Sequence, residues 1–126
     1  MTIEQARALI AIYGEAWTER NAEKILEVFT PDATYFDPRE TLAEGHDGIR
    51  AYWEMKVLNN QRDIRFTLLN LWMDGDVVIA EWNAKFIDIE RSLHIDMTEV
   101  AIFTVRDEKF SSLREYYRNV KTPVVL

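Results

Sequence analysis

The sequence has no cysteine and only two histidines, His46 and His94. Without cysteine there can be no disulfide, no thiol nucleophile and no thiolate ligand for a metal. Two histidines so far apart along the chain do not form a zinc motif. We therefore expect neither a metal site nor a cofactor.

Basic residues and long apolar runs are also scarce. The chain has 15 Lys and Arg against 22 Asp and Glu, which gives a net charge of -7. Nucleic acids and anionic membranes bind clusters of basic side chains, so this balance argues against both as partners. No run approaches the ~20 apolar residues of a membrane span. The first residues, MTIEQARAL, lack the basic and apolar regions of a signal peptide. These absences predict a cytoplasmic protein.

The sequence does contain enough apolar material for a packed core. Hydrophobic residues make up 48% of the 126 residues and aromatic residues 12%. This length corresponds to one domain. No linker, repeat or low-complexity tract divides the chain, so we expect a single domain over 1–126.

The first sixty residues carry helical patterns. Thr2 to Gln5 fits a capping box. Apolar side chains then recur at steps of three and four, as on one face of a helix: Ile3, Ala6, Ile10, Tyr13 and Trp17. This pattern predicts a first helix over about 3–19. Asn21 is typical of the cap of a short second helix that ends before Pro31. The run GIRAYWEMKVL predicts a third helix.

The rest of the chain, apart from an early strand in DATYFDP, alternates with period two. From Val78 to Phe86 every second residue is apolar, which is typical of a strand with one buried face. Asp74-Gly75-Asp76 is a hairpin signal before this strand. Two further strands follow, to about Val105 and Val120. Three helices followed by a four-strand antiparallel meander predict an α+β fold.

The segment YGEAWTERNAEKILEVFTPDATYFDP, residues 13–38, resembles ketosteroid isomerase and the SnoaL-like polyketide cyclases of the NTF2-like superfamily. The shared pattern is an aromatic residue in the first helix followed by F-x-x-D-A-x-x-x-D-P. Gly45, Ile49, Arg50 and Trp53 resemble the loop-to-helix signature of these proteins, and LREYYR resembles their last strand. The order of elements agrees over nearly the whole chain.

This resemblance implies a cone in which helices pack on a strongly curved sheet and enclose a pocket for a small hydrophobic ligand. It also implies a homodimer through the outer face of the sheet. The sequence allows such a dimer, because Leu69, Leu71 and Met73 are apolar on the parity opposite Phe66 and Trp72. Both faces of this strand are therefore expected to be covered.

The resemblance also implies a catalytic site. Ketosteroid isomerase uses an Asp base, with a Tyr and a second, protonated Asp that bind the oxyanion. The corresponding positions here are Asp37 for the base and Tyr13 for the oxyanion donor, whereas Ala101 stands where the second acid is expected. Glu99 lies two residues earlier on the same face, and we predict that it either holds a proton or pairs with Arg114 or Arg50.

Aromatic side chains at inward-facing positions are predicted to bind the substrate: Trp17, Tyr35, Trp53, Trp82, Phe86 and Phe103. We expect Asp37 to face an apolar cavity formed by these residues. Structural roles remain open, because Tyr13 could serve packing alone, Asp37 could only open a turn, and Glu99 could be solvated or ion-paired.

Three functions are compatible with this reading. The first is a proton-transfer enzyme (an isomerase, dehydratase or cyclase) that acts on a small hydrophobic carbonyl compound. The second is a non-catalytic module that binds a ligand or serves a structural role. The third is epoxide hydration, which needs an Asp-Arg-Asp set that the sequence does not place. The fold hosts all three functions and does not decide among them.

Overall fold

A computed structural model of the protein describes residues 1–40 and 42–125. Its first helix, α1, spans Ile3–Thr18. The predicted capping box is present: the Gln5 amide donates to Thr2 Oγ1 at 3.2 Å, and the Thr2 amide donates to Gln5 Oε1 at 2.7 Å. These bonds satisfy donors that a helix N-terminus otherwise leaves free. The apolar face of α1 is buried from Ala6 onward, which places Tyr13 and Trp17 in the core.

The predicted number of helices is wrong, since the described residues form two α-helices. Residues Lys24–Val28 make only a 3₁₀ turn. The Asn21 side chain caps this turn, accepting from the Lys24 amide at 2.9 Å, and Pro31 leaves no room for a longer helix. The second α-helix, α2, spans Gly45–Trp53 and continues as a π-helical turn over Glu54–Leu58.

The strands of the described residues form one curved sheet. Their bounds are β1 Phe29–Phe36, β2 Ala43–Glu44, β3 Gln61–Asp74, β4 Val77–Asp88, β5 Leu93–Arg106 and β6 Lys109–Pro123. Their order across the sheet is β2-β1-β6-β5-β4-β3. The pair β1–β6 is parallel, and the other neighbouring pairs are antiparallel. The predicted meander and the α+β class are confirmed.

Strand β3 contains a bulge that reverses its alternation. Leu68 pairs with Trp82, but Asn70 pairs with Glu81, so Leu69 has no partner of its own. An unpaired extra residue moves the following side chains to the opposite face.

The prediction that Leu69, Leu71 and Met73 share the outer face is therefore wrong. Leu71 and Met73 pack against the core. Leu69 and Trp72 lie outside instead, 49% and 52% exposed.

The core lies between α1 and the concave face of the sheet. At the closest approach, a Cβ added to Gly14 of α1 would lie 2.4 Å from Phe66 Cδ1 of β3. No side chain fits at that distance, so glycine lets the helix lie directly on the strand. Within the described ranges, no helix is both long and apolar enough to cross a membrane.

Candidate functional site

A cavity of about 280 Å³ opens between the helices and the concave face of the sheet. Seven of the nine predicted site residues line it: Tyr13, Trp17, Tyr35, Asp37, Trp53, Phe86 and Glu99. The other two, Trp82 and Phe103, are not on its wall. Their rings pack against that of Tyr13 at centroid distances of 5.1 and 6.2 Å. Trp82 and Phe103 lie deeper in the cone than the cavity. They therefore support the Tyr13 ring from behind, and the predicted contact of their side chains with a substrate is not possible from these positions.

Asp37 follows the last residue of β1 and is 3% exposed. Three donors converge on its carboxylate. Tyr52 Oη lies 2.5 Å from Oδ2, Tyr117 Oη lies 2.9 Å from Oδ1, and the Arg39 amide lies 3.0 Å from Oδ1. The two structural alternatives for this residue therefore coexist, because the Arg39 bond is a turn bond and the tyrosine bonds belong to the cavity.

The expected apolar surroundings of Asp37 are not what the structure has. Tyr52 comes from α2 and Tyr117 from β6, and each turns its hydroxyl toward the carboxylate. Hydrogen bonds to a carboxylate stabilise its charged form. These three bonds hold the Asp37 carboxyl in a fixed orientation at the cavity wall.

Tyr13 and Tyr35 form a buried pair with their hydroxyl oxygens 2.9 Å apart. Burial raises the pKa of both phenols well above the usual value, and the charge of Glu115 raises it further. Both hydroxyls therefore keep their protons. In such a pair one hydroxyl donates to the other, and the second proton is free for a ligand. Tyr13 can thus combine its packing role with that of a donor.

Glu99 is 1% exposed, and neither of its carboxyl oxygens has a hydrogen-bond partner among the described residues. Burial raises its pKa well above the usual range, and the charge of Glu115 beside it adds to this effect. The proposed cation partners are engaged elsewhere or point away: Arg50 bonds Glu23 at 2.6 Å, and Arg114 is exposed. A buried carboxyl beside a second acid is favoured in its neutral form, so Glu99 keeps its proton.

Glu115 is a third buried acid, 5% exposed, that the sequence reasoning missed. Burial raises its pKa to about 7, against the lowering effect of the neighbouring Glu99 carboxyl. Tyr52 Oη lies 3.4 Å from Glu115 Oε1. A signal for it was present, because Leu113, Glu115 and Tyr117 alternate inward along β6. The same alternation would have found Tyr117.

Two polar atoms on the cavity wall lack partners among the described residues. Trp53 Nε1 is a buried donor and Asn119 Oδ1 a buried acceptor. At the mouth, Arg39 lies over the Tyr117 ring, 4.9 Å from its centroid. No group of three carboxylate or imidazole side chains in the described part of the chain is placed to hold a metal.

The arrangement brings carboxyl groups in different surroundings to one cavity. Asp37 accepts hydrogen bonds from three donors, whereas Glu99 lies buried beside Glu115, and burial raises the pKa of Glu99. Carboxyl groups in such different surroundings are suited to proton transfer. Tyr13 adds a neutral donor at the same wall.

Comparison with protein families finds that the profile described as "SnoaL-like domain" matches residues 10–113. Comparison with curated proteins finds no match. The family match agrees with the resemblance seen in the sequence.

Solved structures share the fold. A protein of ketosteroid isomerase-like fold from Catenulispora acidiphila, in complex with trimethylamine, has a TM-score of 0.78 at 19% identity, over 86% of this chain and 84% of that one. An LEH-like epoxide hydrolase from M. tuberculosis has a TM-score of 0.75 at 14% identity, over 92% and 84%. The epoxide hydrolase/cyclase-like enzyme SalBIII, which acts in pyran ring formation in the polyether salinomycin, has a TM-score of 0.75 at 24% identity, over 91% and 92%.

Proposed function

This chain belongs to the SnoaL-like domain family, and on that premise we propose that it is a proton-transfer isomerase or cyclase for a small carbonyl compound. Asp37 is the general base, Glu99 the proton donor and Tyr13 the oxyanion donor. The observation that carries this proposal is the presence on one cavity of a carboxyl that accepts three hydrogen bonds, Asp37, and a deeply buried second carboxyl, Glu99.

The reaction follows from these positions. Asp37 removes a proton next to the substrate carbonyl, as a positioned carboxylate can. The enolate oxygen that forms accepts hydrogen bonds from the Tyr13 hydroxyl and the Glu99 carboxyl, which are held in place before the charge develops. A proton is then returned to another atom of the same molecule.

Glu99 and Glu115 together stand in for the acid that the family resemblance places at Ala101. Ala101 and Glu115 are direct partners across β5 and β6, and both face inward. The small side chain of Ala101 leaves room there, so the Glu115 carboxyl comes to lie beside that of Glu99. Two neighbouring acids thus replace one.

The substrate is small and oxygenated rather than a plain hydrocarbon skeleton. A cavity of about 280 Å³ takes a molecule of one or two rings. Its aromatic wall binds the apolar part, while Trp53 Nε1 and Asn119 Oδ1 are placed for oxygen substituents. Leaving such buried groups unpaired costs about 1–3 kcal/mol each, so a ligand that satisfies them is favoured.

A ring-closing reaction is a second candidate. Ring closure needs a base for the attacking hydroxyl and an acid for the group that is opened or activated, and Asp37 and Glu99 supply these two roles. The SalBIII neighbour takes part in pyran ring formation, which supports this reading at the level of the fold.

We further propose that the protein is a homodimer through the outer face of the sheet. Leu69 of the β3 bulge, Trp72 and Tyr116 are large side chains left exposed on this face. Trp72 and Ile79 pair across β3 and β4, and Ile79 pairs with Ile102 of β5. An apolar row of this kind is typical of a protein–protein contact.

The test uses isomerisation of cyclohex-3-en-1-one to the conjugated enone, followed by ultraviolet absorption. We expect Asp37→Asn to lower kcat about 10²–10⁴-fold while circular dichroism stays unchanged, because the general base is lost. Tyr13→Phe should cost less, since Glu99 still donates to the oxyanion. Asp32→Asn is the matched control: it makes the same change in the same motif, but its side chain is 68% exposed and paired with Arg106.

Full turnover by Asp37→Asn would contradict the proposed function. If the wild type binds enones without converting them, the non-catalytic binding module is the better description.

A further inference from the structure

The Tyr52 hydroxyl lies between two carboxyl groups that belong to different strands. It is 2.5 Å from Asp37 Oδ2, at the end of β1, and 3.4 Å from Glu115 Oε1, on β6. The single proton of the Tyr52 hydroxyl can point to only one of these carboxyl groups at a time, and the O–H bond can rotate about the C–O bond from one to the other. Donation to Asp37 is the short bond, and the longer contact to Glu115 is the alternative.

We propose that Tyr52 relays a proton from Asp37 to Glu115 and so restores the base within the turnover. This inference rests on the proposed function of Asp37. It adds a role that the acid–base pair alone does not have, namely a path that joins the base to the acids on the opposite side of the cavity.

Each step of the relay conserves protons. Asp37 takes a proton from the substrate carbon and becomes a neutral acid. Its new O–H then donates to the Tyr52 oxygen while the Tyr52 proton turns to Glu115. Transfer along these two bonds leaves Asp37 ionised, Tyr52 neutral and Glu115 protonated. Glu115 can in turn replace the proton that Glu99 has donated.

The direction of transfer agrees with the surroundings of the two ends. At one end, the Asp37 carboxyl accepts hydrogen bonds from three donors. Burial raises the pKa of Glu115 to about 7, so Glu115 accepts a proton readily. Burial raises the pKa of the Tyr52 phenol, and the nearby charges of Glu115 and Asp37 raise it further. Tyr52 therefore stays protonated between transfers.

Tyr35 approaches the same acid, but it does not touch the base. Its ring packs on that of Tyr52 with the centroids 4.9 Å apart, and its hydroxyl pairs with Tyr13 and lies within reach of Glu115. Among the described residues the Tyr35 hydroxyl makes no hydrogen bond to Asp37, so it does not join the two ends of the relay. Glu99 lies beyond Glu115 and influences its proton. The nearest cations, Arg39 and Lys56, lie at the mouth, over Tyr117 and paired with Glu40.

Tyr117 provides a matched control. It donates to the other oxygen of Asp37 at 2.9 Å, but among the described residues its hydroxyl has no contact with Glu115. Tyr52→Phe and Tyr117→Phe each remove one hydroxyl and one donor to Asp37. Only the first removes the link to Glu115, so the difference between the variants isolates the relay.

The experiment follows isotope rather than rate. Cyclohex-3-en-1-one, deuterated at the carbon between the carbonyl and the alkene, is converted in ordinary water, and deuterium in the product is measured by mass spectrometry. Only one of the two deuterons on this carbon is removed, and its fate is what the experiment measures. With a relay, the wild type and Tyr117→Phe lose the removed deuteron to the acids and to solvent, while Glu99 supplies the proton that enters the product. In Tyr52→Phe the deuteron stays on Asp37, which returns it to the substrate in place of Glu99, so the fraction of product that retains the removed deuteron should rise severalfold.

Equal retention in both variants would overturn the relay while leaving the base in place. Absence of isomerisation by the wild type would instead overturn the proposed function, and the relay with it.

Discussion

Glu115 makes the stability of the fold depend on pH, and the sign of this dependence follows from its position. Burial raises its pKa from 4.5 to about 7 in the folded protein. Below about pH 4 Glu115 is protonated in both the folded and the unfolded state, so its titration does not change the free energy of unfolding. As pH rises from about 4 to about 7, Glu115 ionises first in the unfolded chain, and the free energy of unfolding falls. Above about pH 7 Glu115 is ionised in both states, and the free energy of unfolding falls no further.

The size of the effect follows from the same interval. The shift from 4.5 to about 7, at about 1.4 kcal/mol per pH unit, gives a loss of about 3 kcal/mol. Glu115→Gln removes this titration and keeps the shape of the side chain. We therefore expect the variant to be more stable than the wild type by about 3 kcal/mol at about pH 8, and about equally stable at about pH 4. In a domain of this size that corresponds to about 10 °C in Tm.

Urea unfolding at several pH values between these limits measures the difference. Glu54→Gln is the control, because this exposed side chain undergoes the same change outside the cavity. Parallel pH profiles for the wild type and Glu115→Gln would refute the reasoning, since they would mean that Glu115 titrates alike in the folded and unfolded states.

Two further predictions concern packing and assembly. Gly14→Ala should lower stability by about 1–3 kcal/mol in thermal unfolding, because the new methyl group would overlap the Phe66 ring. Adding Phe66→Leu to this variant should recover part of the loss. An unchanged Tm for Gly14→Ala would contradict the close approach of helix and strand. Trp72→Glu should dissociate the proposed homodimer in sedimentation velocity, because it places a charge in the apolar row of the outer face, and a dimer that persists would place the interface elsewhere.

The sequence predicted those elements whose signals are local. The capping box at Thr2 forms bonds within one turn, and the hairpin at Gly75 needs only a residue that tolerates a φ of +56°. Strand β4 alternates without interruption, so its buried face was correctly assigned from Val78 to Phe86. In each case the residues that determine the structure are neighbours in the chain.

The bulge in β3 is a feature that local sequence patterns do not predict. Leu68, Leu69 and Leu71 are alike in chemistry, so the sequence does not show which of them is the extra residue, although Asn70 lies beside it. The bulge exists because β3 must match β4 on one side while its inward side chains meet α1. Its position is a property of the paired strands, and a single strand read by parity cannot reveal it.

The alternation of apolar residues along a strand also does not show how deep in the cone a side chain lies. Period two assigned Trp82, Phe86 and Phe103 to the same inner face, and all three are buried there. Only Phe86 lies toward the open end and lines the cavity. The other two lie where the cone is already filled by Tyr13. Alternation gives the face of a residue, whereas the distance from the mouth depends on how the sheet curves.

Strand β6 contributes a row of polar side chains to the cavity. Along β6 every second residue faces inward, from Glu115 at the floor through Tyr117 and Asn119 to Lys121 at the mouth. The helices contribute aromatic rings, and those of Trp17 and Trp53 lie with their centroids 6.5 Å apart. The helical side is not apolar throughout, because Tyr52 of α2 turns its hydroxyl to Asp37 Oδ2 at 2.5 Å. Asp37 is thus held by hydroxyls from both sides, Tyr52 from α2 and Tyr117 from β6, rather than by an apolar pocket.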